Sequence, residues 1–98
     1  MTTIAEIKDR NHRIGHFFFH DESLDWFGSV VYDDVVSNDG YDYFITSEQD
    51  PEGLAWDGER RWSIRACDVE GRVTTVSEFG QYPSYTEALA ALNLLKGE

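Results

Sequence analysis

The sequence predicts an α+β fold: an N-terminal helical segment, a four-stranded antiparallel β-meander, and a C-terminal helix packed on the sheet. Three observations predict it. Capping-box spacings stand near both ends of the chain, Thr3 with Glu6 and Ser84 with Glu87. Between them lie four runs rich in β-branched and aromatic residues, grouped in two pairs by short turn-forming sequences. A longer connection holding Pro51, Gly53 and Gly58 separates the pairs.

In chain order, Thr3 and Glu6 start a short helix in which Ile4, Ile7 and Ile14 recur at near-helical intervals, ending near Gly15. The next five residues, His16-Phe17-Phe18-Phe19-His20, include three adjacent rings that cannot all face one side of a strand or helix. Asp21 suits the cap of a brief helix through Phe27, ended by Gly28. Residues 30–36 and 41–47 read as two strands joined by the hairpin sequence Ser37-Asn38-Asp39-Gly40. Their register stays open, because a bulge at Asp39-Gly40 would move side chains to the opposite face.

Residues 60–69 alternate Trp62, Ile64 and Ala66 against Ser63, Arg65 and Cys67, and Glu70-Gly71 turns the chain into residues 73–79. With Glu70 and Gly71 as the two loop residues, Trp62 falls opposite Phe79 and Ala66 opposite Thr75. Beyond Pro83, the stripe Tyr85, Ala88, Leu89, Leu92 and Leu95, closed by Lys96 and Gly97, predicts a helix that covers one sheet face.

At 98 residues and 41% hydrophobic, the chain suits a single domain over 1–98. The single Cys67 cannot form an internal disulfide, residues 1–13 hold no apolar signal core, and no run approaches a membrane span. A cytoplasmic setting is expected.

Charge is the strongest functional signal. Residues 14–59 contain no Lys or Arg but twelve carboxylates, within a chain whose net charge is -11. With only eight Lys and Arg, direct binding to nucleic acid is disfavoured, since that affinity comes from cations neutralising phosphates. A basic protein surface is the expected partner. Asp33, Asp34 and Asp42 on the first hairpin, Asp39 at its tip, and Asp50, Glu52, Asp57 and Glu59 with Trp56 on the long connection form the candidate footprint. Tyr32, Tyr41, Tyr43 and Trp56 are candidate aromatic anchors. Arg60, Arg61, Arg65 and Arg72 either pair internally with these acids or form an opposite pole that would allow a homodimer.

Other chemistry is weaker. His12, His16 and His20 are spaced by four, which on an uninterrupted helix would align three imidazoles for a transition metal, but Gly15 and the phenylalanines argue against that helix. A calcium loop around Asp39-Gly40 would place Val35 and Thr46 where an aspartate and a bidentate glutamate are required. Cys67, mid-strand and far in sequence from every histidine, reads as a buried structural thiol. Serine elbows, phosphate-cradling loops and dinucleotide fingerprints are absent, so no cofactor and no enzyme activity are expected.

The runs Asn11-His12-Arg13-Ile14-Gly15-His16-Phe17-Phe18, Trp26-Phe27-Gly28-Ser29-Val30, Tyr43-Phe44-Ile45-Thr46-Ser47-Glu48 and Trp62-Ser63-Ile64-Arg65 resemble a family of small uncharacterised proteins of bacteriophages and other mobile elements. The resemblance covers about residues 4–92 and implies provenance only. It places the acidic field in a setting where small proteins occupy nucleic-acid-binding grooves of host defence complexes, an argument by analogy. The expectation is therefore a non-enzymatic, acidic binding module acting as a nucleic-acid mimic against a CRISPR effector or restriction enzyme. The alternatives are a metal-binding protein using the three histidines, or a salt-adapted structural domain.

Overall fold

The computed structural model describes residues 2–15, 18–19, 28–49, 60–77 and 80–95. The brief helix expected over residues 21–27 and the long connection with Trp56 lie outside the described residues.

Helix α1 (Ile4–Arg13) begins as its sequence predicts. Thr3 is extended, with φ -112° and ψ 164°, and its hydroxyl accepts from the Glu6 N–H at 3.3 Å. This satisfies one of the donors that a first helical turn leaves unbonded. Beyond the helix, Gly15 has φ 75°, the left-handed value that favours glycine at a helix end. The buried stripe differs from expectation. Ile7 and Asn11, four residues apart, are fully buried, whereas Ile14 is 45% exposed.

Strands β1 (Val30–Asn38), β2 (Tyr41–Gln49), β3 (Arg60–Cys67) and β4 (Val73–Thr75) form one antiparallel sheet in the order β1-β2-β3-β4, the expected meander. Asn38 pairs with Tyr41 across Asp39 and Gly40, whose φ values of 54° and 83° are those of a type I′ turn. The first hairpin thus has a two-residue turn, not a bulged one. Its irregularity lies earlier: Val31 pairs with Thr46 and Val35 with Phe44, leaving residues 32–34 opposite Ile45 alone.

The second hairpin corrects the expected register by one residue. Ala66 pairs with Thr74, not Thr75, and Trp62 bridges to Tyr82; Phe79 lies outside the described residues. The cause is a longer turn. The Asp68 carboxylate accepts from the N–H groups of Glu70, Gly71 and Arg72 at 3.0, 2.9 and 2.9 Å, and the Asp68 N–H donates to Arg72 O. An aspartate that binds backbone this way builds its own turn, so the loop spans residues 68–72. After β4 the N–H groups of Val76 and Ser77 converge on Ile64 O, and Tyr82 exchanges backbone hydrogen bonds with Trp62.

Helix α2 (Tyr85–Leu94) starts at Ser84, whose hydroxyl accepts from the Glu87 N–H at 3.2 Å. It packs on the sheet as predicted: Ala88 and Leu92 are fully buried against Val36, Ile45 and Ile64, with Tyr85, Leu89 and Leu95 beside them. The opposite sheet face is covered too. There Phe44, Cys67 and Val73 meet Ile7 of α1 and Phe19. Phe18 and Phe19 follow a turn rather than a helix or strand, so neighbouring rings both reach this core, 4.9 Å apart and edge to face. Each fully buried Ile, Leu or Phe side chain in these clusters contributes roughly 1.5–3 kcal/mol.

Candidate binding surface

The four described aspartates of the candidate footprint occupy four different environments. Asp33 and Asp34 sit exposed in the β1 bulge and diverge. Asp34 accepts a hydrogen bond from the Tyr85 hydroxyl at the start of α2. Asp33 instead lines an open cleft between α1 and β1 with Thr2, Thr3, Ile4, Ala5, Lys8 and Val35. Asp39 is exposed at the hairpin tip, where its positive φ is one that aspartate tolerates.

Asp42 turns inward. It is 8% exposed, lies 2.9 Å from the Arg10 guanidinium, and accepts from the Ser37 hydroxyl. The expected outward hairpin charge is here an internal clamp between α1 and β2, because Asp42 shares the Phe44 side of β2, which α1 covers. Asp50, Glu52, Trp56, Asp57 and Glu59 lie outside the described residues.

A second internal pair escaped sequence reasoning. Glu48 is 1% exposed; one carboxylate oxygen lies 3.1 Å from Arg65 Nη2 and the other accepts from Ser63 Oγ at 2.9 Å. Arg65 also donates to Thr46 and Thr75 and lies 5.3 Å from the Phe18 ring centre. The signal was available in the strand alternation, which puts Thr46 and Glu48 with Phe44, and Ser63 and Arg65 with Cys67. The arginine group therefore forms no single pole. Arg65 is buried, Arg60 donates to Ser47 at 2.7 Å, Arg61 reaches Gly80 O at 3.4 Å, and Arg72 is exposed.

Of the aromatic candidates, Tyr32 and Tyr43 pack against the α2 core, while Tyr41 stays exposed beside the hairpin tip. Tyr32 stacks on Tyr85 at 4.9 Å, and its hydroxyl accepts from the Trp62 indole at 3.1 Å and donates to Ser47. Tyr85 and Tyr32 thereby hold the bulge that carries Asp33 and Asp34 against α2.

The Asn-x3-Gly-x-x-Phe pattern is explained by packing. Asn11 Nδ2 donates to Gly71 O at 2.8 Å, and Asn11 Oδ1 accepts from the Phe18 N–H at 2.7 Å. Gly15 makes the intervening turn. Gly71 has φ 110°, and a Cβ there would stand 2.4 Å from Arg10 O, so α1 approaches this turn as only glycine permits. Cys67 is buried beside this clamp; burial pushes its thiol up, with Arg10 opposing. Among the described residues no group of three His, Cys, Asp or Glu side chains is placed to hold a metal ion. Of the three histidines only His12 is described. No helix among the described residues is long and apolar enough to cross a membrane.

The chain belongs to the DUF7447 family, a family of unknown function, which it matches over residues 3–93. No curated protein and no solved structure matches it.

Proposed function

We propose that this member of the DUF7447 family is a non-enzymatic binding module that engages a basic protein surface through the outer edge of β1, with Asp33, Asp34 and Asp39 as its described carboxylates. One observation carries the reading. Among the described residues, the internal pairs Asp42–Arg10 and Glu48–Arg65 remove as many cations as anions from the exterior, so this burial does not relieve the chain's acidity, while Asp33, Asp34 and Asp39 stay exposed. Asp33 and Asp34 diverge to the two sides of the sheet, so what the described hairpin carboxylates share is an edge rather than a face. Such an edge attracts a cationic partner quickly and in a salt-sensitive manner.

The finer form of the proposal is mimicry of nucleic acid by a phage-encoded protein. The exposed carboxylates of this edge would stand in for backbone phosphates. A groove of a CRISPR effector or restriction enzyme that accepts phosphates would accept this edge. The test is capture from host lysate by the wild-type chain and by the triple variant Asp33→Lys, Asp34→Lys, Asp39→Lys, at low and high salt, with mass spectrometry. The wild type should retain a nucleic-acid-binding protein that salt and duplex DNA both release, and the variant should not. Equal retention by a folded triple variant contradicts the proposal.

A further inference from the structure

We infer that β1 is a strand-addition site, taking an extended peptide segment that alternates cationic with small apolar side chains. The inference rests on the preceding reading and supplies its mode of binding. Among the described residues β1 is an outer strand of the sheet, and it is nine residues long. Counted from the type I′ turn, Asn38 and Tyr41 are the pair that exchanges both hydrogen bonds, and the ladder alternates from there. The peptide groups of Val35 and Ser37 therefore turn away from β2. The Ser37–Asp42 side-chain bond fits the closer, non-hydrogen-bonded kind of pair.

Beside these groups lies the cleft of about 550 Å³ between α1 and β1, where Ile4, Ala5 and Val35 meet Lys8 and Asp33. An added strand would send alternate side chains toward this cleft and toward Asp34 on the other side. A short apolar side chain fits the cleft, and a cation fits either aspartate.

Charge decides between occupants. Two copies pairing through β1 would bring Asp33 and Asp34 of each chain close to those of the other, with -11 on both. Like charges at such distances destabilise a pair, and bulges with charges are how edge strands refuse self-pairing. The same groups favour a cationic strand.

The test uses two peptides of equal length and charge, both alternating lysine with valine, one N-methylated at every backbone amide so that neither of its edges can donate. N-methylation removes strand pairing and keeps the charge. The unmodified peptide should bind the full chain about tenfold more tightly or better, as one or two net backbone hydrogen bonds require. It should also slow amide exchange at Val35 and Ser37. Equal affinity overturns strand addition and leaves the charge-driven reading standing. Binding of neither peptide overturns both. A dimer in sedimentation, with those amides protected before peptide is added, overturns the inference in favour of self-pairing.

Discussion

Glu48 and Arg65 form an ion pair inside the α1-covered face of the sheet, 3.1 Å apart, with Glu48 almost wholly removed from solvent. A buried pair of this kind adds little net stability over apolar residues, but breaking it strands a charge. Glu48→Ala should therefore cost about 3–5 kcal/mol, while the double replacement Glu48→Met with Arg65→Met should recover much of that loss. Urea denaturation with an unchanged slope checks both, and a double variant no better than the single one would contradict the account.

Asn11 and Gly71 make a second, independent clamp. Asn11→Ala leaves Gly71 O and the Phe18 N–H without this partner, for a loss of roughly 2–4 kcal/mol. Gly71→Ala drives a Cβ against the Arg10 carbonyl at positive φ, where backbone rather than a flexible side chain must move, so a loss of at least ~3 kcal/mol is expected. Because both changes break one contact, their combined effect should fall short of the sum in a thermal or urea cycle.

The aspartates separate by location. Asp42→Lys faces Arg10 inside the fold and should unfold the chain or shift its melting temperature down by several degrees. Asp39→Asn at the exposed tip keeps a residue that tolerates the positive φ and should leave melting within the error of a surface change, about 0.5 kcal/mol. Circular dichroism melts compare them directly, and similar melts for the two would refute the division into clamp and surface.

That division marks the limit of what the sequence discloses. Both caps, both hairpins and the α2 stripe were legible because each depends on residues a few positions apart: Thr3 with Glu6, Asp39 with Gly40, Ala88 with Leu92. The second hairpin slipped by one because Asp68, a residue that reads as strand, uses its side chain to build the turn. The internal pairs were hidden for another reason. Arg10 and Asp42 are far apart in sequence, and only the packing of α1 on the sheet turns a charge count into a partition between inside and outside. For the same reason Asp33 and Asp34, adjacent and indistinguishable in sequence, face different neighbours once the bulge is in place.

The Asp68 turn also sets a pH dependence. The Arg72 N–H above all, with those of Gly71 and Glu70, holds the Asp68 carboxyl below its ordinary value of 3.8. A carboxylate whose pKa is lower in the folded chain lends stability that is fully present above the ordinary value and is lost as pH falls through the folded one. Denaturation of the wild type between pH 5 and the acid limit should therefore show a loss that Asp68→Asn reduces. An identical acid limb in the two proteins would show that the turn does not depend on the charge.

Tyr85 gives the opposite sign and a direct reporter of the β1 edge. Its hydrogen bond to Asp34, with partial burial and the nearby Asp34 charge, pushes the phenol up to about 12. The folded chain thus favours the neutral phenol. That contribution is complete below the ordinary value of 10 and is lost as pH rises through about 12. Asp34→Asn removes the charge and should bring Tyr85 back toward 10 in a titration of its labelled ring carbon. A guanidinium docking on Asp34 competes for the same carboxylate oxygens and stays charged at this pH, so a saturating arginine-valine peptide should lower the Tyr85 value as well. A Tyr85 titration unmoved by Asp34→Asn would mean that the hydroxyl and the carboxylate are not coupled, and would remove Asp34 from the surface that the partner reads.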